Sequence, residues 1–208
     1  MKKSSSVDRN VIFVFLVPFA FLVSIDLIIG DYELFTLVNS GFSNLVLDVA
    51  CVYVSPILFF MFYLITLVTL YVSHRSSHLA CGVISLATGL VSYGIGSLMK
   101  LLVQRPRPFN VLQHVRVIGP WETGSFSFPS TTTMLAFGLA LPILFLFEKR
   151  HFGVLLLVLS YFMGFSVIYA GFHFPADVAA GILSSLGIAA CTSKLRGTLV
   201  GFLRGKQP

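Results

Sequence analysis

The sequence predicts an all-α, polytopic membrane protein built as a bundle of six transmembrane helices, and three observations lead there. Charged residues make up only 11% of the 208 positions, against 56% hydrophobic, where a soluble domain carries roughly 25% charged residues. Too few polar side chains remain to cover a globule in water, and the mean hydropathy is +0.92. Six apolar stretches approach the roughly 20 residues that a helix needs to cross a bilayer. They fall at about 11–30, 52–73, 79–99, 131–147, 152–170 and 177–193. Once these spans are drawn, the basic residues segregate to one side, as the loops of a membrane protein require.

Taken in order, residues 1–10 form a short N-terminus carrying Lys2, Lys3 and Arg9. The first span is too long for a signal-peptide core and lacks a small-residue cleavage site, so it reads as a retained helix. The stretch 31–50 places Asp31, Glu33 and Asp48 among apolar residues, which suits an interfacial helix better than a crossing. Arg75 separates the second and third spans, and Lys149 and Arg150 the fourth and fifth. Lys194, Arg196, Arg204 and Lys206 lie in the tail 194–208. With the three N-terminal cations, these residues all share one side, which the positive-inside rule assigns to the cytoplasm. Of the fourteen Lys and Arg residues, the opposite side keeps only Lys100, Arg105, Arg107 and Arg116, all in the loop 100–130. A cation cluster on the side that the rule leaves poor in positive charge calls for an anion to bind. The chain thus reads as a single multi-pass domain of the plasma or inner membrane, with both termini cytoplasmic and its polar loop outside.

Other function classes find little support. The net charge of +6 comes mostly from topological anchors, with no basic stripe interleaved with aromatics, so nucleic acid is not an expected partner. There is no Walker-type glycine loop, no CxxC pair, no internal repeat and no low-complexity tract. Cys51, Cys81 and Cys191 sit in or beside apolar stretches without metal-ligand spacing and read as small hydrophobes. Asp26 is the single acidic residue deep within a span, a position that raises the question of an ion pathway. It lies near the outer end of its helix, close to Asp31, and carries little weight for a channel. Rows of small residues on the last span, Ala176, Ala180 and Ser184 beside Gly181, Ser185 and Ala189, suit close helix packing.

The chemistry concentrates in three clusters at the outer ends of the third to sixth spans. The first runs from Lys100 to Arg105-Pro-Arg107-Pro108. Its prolines make the chain extended and stiff, and guanidinium groups grip phosphate oxygens two at a time while Lys acts as a point charge. The second, Ser125 to Thr133, contains Ser127, Pro129, Ser130, Thr131 and Thr132 just before an apolar run. Hydroxyls cap a helix there, and the exposed N–H groups of its first turn favour an anion. The third runs from Ser166 through Tyr169, Gly171, His173 and Pro175 to Asp177. With Pro175 starting a helix, Asp177 falls in the first turn. It can there accept from the Nδ1–H of His173, leaving Nε2 free as nucleophile or base. Cations, an anion-binding helix start and an oriented histidine are the parts of phosphoryl transfer through a phosphohistidine.

These residues resemble the type 2 phosphatidic acid phosphatase family, which is related to the vanadium haloperoxidases. The family signature is Lys-x6-Arg-Pro, then Pro-Ser-Gly-His, then Ser-Arg-x5-His-x3-Asp. Lys100, Arg107 and Pro108 match the first part, Pro129 and Ser130 begin the second, and Ser166, His173 and Asp177 match the third. The resemblance implies a membrane lipid phosphatase that needs no metal or other cofactor, acting on a lipid phosphate or diphosphate. Lys100 and Arg107 would hold phosphate oxygens, Ser130 and Thr131 would offer backbone N–H groups, and His173, oriented by Asp177, would attack phosphorus.

The sequence departs from the signature at three positions. Thr132 stands where the family has the histidine that protonates the leaving oxygen, Val167 replaces the arginine of the third motif, and Thr131 replaces the glycine. General acid catalysis is typically worth 10²–10⁴-fold. Three repairs are open: Arg105 or Arg116 supplies the missing guanidinium, His114 supplies the proton, or the substrate is a lipid diphosphate whose leaving phosphate departs with little protonation. The competing reading is a relative that binds or moves lipid phosphates without cleaving them.

Overall fold

The computed structural model describes residues 9–119 and 126–205. Ser125, Lys2, Lys3 and Lys206, which enter the sequence argument, lie outside the described residues. Among the described residues there are helices and loops and no strand.

Helix α1 (Arg9–Ile29) ends at Gly30, whose φ of +104° is open to glycine and strained for other residues. The chain bends there by 113° into α2 (Asp31–Thr36), which runs on through a π-turn at Leu37–Gly41. Asn44 then caps α3 (Leu45–Val49), its side chain accepting from Leu47 N–H at 2.9 Å. A second π-turn at Ala50–Val54 joins α3 to α4 (Ser55–Val72). Helix α5 (Ser76–Val103) follows, then one turn of α6 (Pro108–Val111), α7 (Thr131–Leu146), α8 (Arg150–Tyr169), α9 (Pro175–Ser193) and α10 (Arg196–Arg204).

The chain is polytopic. Among the described residues, four helical paths are long and apolar enough to cross a membrane: Leu45–Val72, Ser76–Val111, Arg150–Tyr169 and Pro175–Ser193. The bent pair Phe13–Ile29 and Asp31–Gly41 makes a fifth if it counts as one span. This departs from the expected layout at two points. The boundary drawn at residue 50 falls inside a continuous helix, because the Asn44 cap starts that helix at Leu45 and not near residue 52. The fourth expected span, α7, has 16 residues, about 24 Å at 1.5 Å per residue, short of a hydrocarbon core roughly 30 Å thick.

A short α7 is tolerable because it is the centre of the molecule. It packs against α5, α8 and α9, and Met134, Phe137, Leu141 and Leu144 are fully buried. Missing side chains let the neighbours in. A Cβ on Gly138 would lie 3.0 Å from the Gly89 Cα of α5, and one on Gly153 of α8 would lie 2.4 Å from the Leu144 Cα. Hydroxyls from α5 and α9 reach α7 carbonyls, Ser85 Oγ to Leu139 O at 2.6 Å and Ser185 Oγ to Met134 O at 3.0 Å. Gly181, Ser185 and Ala189, one of the small rows read on the last span, form the buried face of α9. The bundle thereby brings the C-terminal ends of α5 and α8 and the N-terminal ends of α7 and α9 to one end.

Candidate active site

Local chemistry places His173. Helix α8 ends in a Schellman arrangement, with Gly171 N–H donating to Ile168 O at 3.0 Å and Phe172 N–H to Val167 O at 3.0 Å. Gly171 takes the left-handed φ of +91° that this motif needs, and a Cβ there would lie 2.5 Å from the Arg116 carbonyl oxygen. His173 N–H also donates to Val167 O, at 3.2 Å. Helix α9 then starts with Pro175, and Asp177 Oδ2 accepts the Phe174 N–H at 2.9 Å. The five residues between the two helices are thus fixed at both ends, with the imidazole 3% exposed.

The start of α7 is stitched to α9. Ser130 caps α7, its Oγ accepting from Thr133 N–H at 3.3 Å, while its own N–H donates to the Asp177 carbonyl at 3.1 Å. Thr131 and Thr132 follow in the first turn, where N–H groups have no acceptor within the helix. From α5, the Pro-bracketed run delivers Arg107, 4% exposed, whose Nη1 donates to Phe172 O at 2.8 Å.

A cavity of about 440 Å³ opens between these elements. Arg107, Thr131, Thr132, Ser166, Val167 and His173 line its polar end. Cys51, Phe60, Leu135 and Met163 line the apolar remainder, so the space suits an amphiphile with an anionic head. Burial pushes the His173 imidazole down to about 4, with Lys100 and Arg107 adding to the drop and Asp177 opposing it. At neutral pH the ring is therefore uncharged, the form a nucleophile needs. Among the described residues no group of three or more His, Cys, Asp or Glu side chains is placed to hold a metal.

Several expected partners sit elsewhere. Lys100 Nζ donates to the carbonyls of Phe126 at 2.6 Å and Ser127 at 3.1 Å, holding the loop before α7, and does not line the cavity. These carbonyls belong to an irregular segment with no helical donor, and the ammonium satisfies them. Ser130 N–H is donated to the Asp177 carbonyl, so of the expected pair only Thr131, joined by Thr132, keeps a first-turn N–H without an acceptor inside α7 and lines the cavity. The His173 Nδ1 to Asp177 Oδ2 distance is 3.7 Å, an ion-pair spacing beyond hydrogen-bond reach. Asp177 Oδ2 is engaged instead by Phe174 N–H and the Ser127 hydroxyl.

None of the three side chains considered as repairs faces the cavity. Arg105 pairs with Asp31 and with Asp177 Oδ1, the latter at 2.8 Å. Arg116 pairs with Asp48 and lies over the Tyr169 ring at 5.5 Å. His114 is on the exposed loop. Sequence reasoning also missed Asp31 and Asn39 as partners of the site. Asn39 Nδ2 donates to Tyr169 O and Arg116 O, both at 2.8 Å. The available signal was a carboxylate directly after the Gly30 corner, on the face that also carries Arg105.

Comparison with known proteins follows the same residues. The model of the PAP2 superfamily matches residues 80–200, more than half of the chain. The bacitracin transport permease protein BcrC of Bacillus licheniformis is 40% identical over 89 residues, 43% of this chain and 42% of that protein. The lipid A 4'-phosphatase of Bacteroides thetaiotaomicron is 31% identical over 91 residues, 42% of this chain and 40% of that one. The chain thus spans about two fifths of these two relatives. The undecaprenyl-diphosphatase BcrC of Bacillus subtilis is 31% identical over 160 residues, 75% of this chain and 79% of that protein. The crystal structure of LpxE from Aquifex aeolicus superposes with a TM-score of 0.57 at 26% identity, covering 79% of this chain and 94% of that one. With the three motif segments from Lys100 to Asp177 inside the matched region and brought to one end of the bundle, the chain belongs to the PAP2 superfamily.

Proposed function

We propose that this protein hydrolyses a lipid diphosphate in preference to a lipid monophosphate, through a phosphohistidine on His173. The observation that carries the reading is one cavity shared by the Arg107 guanidinium, the first turn of α7 and a neutral, buried His173. Arg107 and the amides of Thr131 and Thr132 hold the oxygens of the phosphoryl group, with Lys100 adding positive potential from behind. His173 Nε2 attacks phosphorus, forming an N–P bond as the bond to the leaving oxygen breaks. Positive charge then develops on the imidazole, and the Asp177 carboxylate 3.7 Å from Nδ1 stabilises it. Water next attacks the phosphohistidine, releasing inorganic phosphate and returning the ring to its neutral form.

The preference follows from Thr132 and Val167, which line the cavity where a general acid and a second guanidinium belong in the family signature. A lipid alkoxide cannot leave without a proton, whereas a lipid phosphate leaves as an anion. A polyprenyl diphosphate, the class in the name of the Bacillus subtilis relative, meets that requirement and has a chain for the apolar end of the cavity. Six crossings, with α7 as the short central one and α2 at the interface, would put this end outside the plasma membrane and both termini in the cytoplasm.

The same two replacements support a second reading, in which the site binds lipid phosphates without cleaving them. Purified protein offered a polyprenyl diphosphate and the matched monophosphate separates the readings. Release of phosphate from the diphosphate, lost by about 10³-fold or more in His173→Ala, is the expected result. Equal or better monophosphate turnover overturns the diphosphate preference. No release from either lipid leaves the binding reading.

A further inference from the structure

Arg105 and Arg107 are separated by one proline, a spacing that in a regular extended run puts both side chains on one face, but here the two diverge. Arg107 turns into the cavity, and Arg105 turns away from it onto the outer side of Asp177. We propose that Arg105 is a positioning residue that fixes the Asp177 carboxylate, offsets its charge and ties the His173–Asp177 pair to α2 through Asp31. The proposal rests on the reading of His173 as the nucleophile.

The contacts account for every oxygen of the carboxylate. Asp177 is fully buried. Its Oδ1 accepts from Arg105 Nη1 at 2.8 Å, and its Oδ2 accepts from Phe174 N–H at 2.9 Å and from the Ser127 hydroxyl. Arg105 also sets that hydroxyl, because its carbonyl accepts the Ser127 N–H at 2.8 Å. Of the three donors to Asp177, the guanidinium alone brings a full positive charge, and a buried carboxylate without one is strongly disfavoured. Left uncompensated, the carboxylate would draw a proton onto the neighbouring imidazole and remove the neutral nucleophile.

The second half of the guanidinium belongs to Asp31 at the start of α2. Asp31 pairs with Arg105 through one oxygen and accepts the Ala176 N–H at 2.9 Å through the other. The fork and the first turn of α9 are therefore gripped by the same side chain. Phe174, next to His173, is held in the same joint, with Arg105 4.2 Å above its ring and the rings of Tyr32 and Phe35 at 5.0 and 5.4 Å. The charged groups facing this joint are Asp26 of α1 beside Asp31, Asp31 itself, Asp177 of α9, and Lys100 and Arg107 of the α5 end, which act on His173 from the cavity side. Removing the Arg105 charge shifts that balance toward the imidazolium, so His173 should gain protons at a higher pH.

The test uses the full-length protein in nanodiscs with the lipid diphosphate substrate. Arg105→Gln should lower kcat by about tenfold or more, as misplacement of an attacking group does, with KM changed less than about twofold because Arg105 does not touch phosphate. The acid limb of kcat/KM should move up by about one pH unit, and Arg105→Lys should recover part of both effects. Asp31→Asn, which keeps the Arg105–Asp177 pair but removes a negative charge beside it, should lower kcat by less and should not move the acid limb up. If Arg105 acts through Asp177, the double variant R105Q/D177N should be no slower than D177N. A raised KM with unchanged kcat would mean that Arg105 holds phosphate itself, and losses that add in the double variant would mean an independent structural role. Either result overturns the proposal. NMR titration of the imidazoles, with His173 assigned through H173A, gives a readout that needs no turnover. A His173 titration point that does not rise in R105Q sinks the idea. Should wild-type protein release no phosphate while that point still rises, the hydrolase reading fails and the positioning role stands.

Discussion

In the proposed reaction His173 acts through its neutrality. Burial lowers its titration point to about 4, from roughly 6.5 in an unfolded chain. In the proposed reaction the neutral ring is then available across the whole physiological range. With Thr132 in place of the signature histidine, that reaction uses no general acid that could lose its proton on the alkaline side. The expected kcat/KM profile on a lipid diphosphate is a single acid limb near pH 4–5 and a plateau above it, measured between pH 4 and 9. A bell centred near 7 would contradict it. The same shift links pH to stability. The unfolded chain takes up a proton at His173 before the folded one does, so this contribution is complete above about pH 6.5 and is lost as pH falls toward 4. Thr132→His restores a proton donor on the cavity wall, and it should raise monophosphate turnover by about 10²-fold or more while changing diphosphate turnover far less. Phosphate-release assays on the paired lipids check this. The meeting of His173 and Arg107 at one cavity was legible in the sequence because their motif spacing carries it. The placement of Lys100 on the Phe126 and Ser127 carbonyls was not, since a flexible four-carbon stem takes whichever carbonyls the fold leaves unsatisfied.

Helices position these residues through small side chains and capped ends. Gly153 brings α8 against the backbone of α7, and an added Cβ would lie 2.4 Å from the Leu144 Cα and 2.7 Å from its nitrogen. Backbone cannot rotate away as a side-chain tip can. Gly153→Ala should therefore destabilise the protein by about 1–3 kcal/mol, the usual cost of overpacking, seen as a lowered Tm in detergent. Gly197→Ala in α10, where nothing lies within 4 Å, is the matching control and should leave Tm nearly unchanged. Helix existence and order could be read from the apolar runs, while of the two small rows noted on α9 only the packing showed that Gly181, Ser185 and Ala189 form the buried one. The start of the second crossing could not be read that way. Hydropathy changes little across residues 45–52, and the Asn44 side chain fixes the helix start by a hydrogen bond that hydropathy does not register.

Across the whole molecule, the two ends differ in kind. One end gathers the Arg105, Arg107, Asp31, Asp177 and His173 group, and the other carries the exposed Arg75–Glu148 pair at 3.1 Å and the basic helix α10. If the positive-inside rule holds, a membrane-impermeant thiol reagent on intact cells should label His114→Cys on the exposed loop. Arg204→Cys should label only after permeabilisation. Both are made in a Cys191→Ala background, since Cys191 is exposed while Cys51 and Cys81 are buried. Reversed labelling would put the site in the cytoplasm. The sequence by itself determined a helical membrane protein and the segments that meet, because hydropathy and motif spacing are local properties of the chain. Only the tertiary structure decided which cation faces the cavity and which stands behind it. Arg105 and Arg107 are alike in composition and nearly so in position, and the direction of a side chain depends on neighbours that are distant in sequence. Asp31, 146 positions from Asp177 along the chain, shares its guanidinium because a glycine corner and helix packing bring it there.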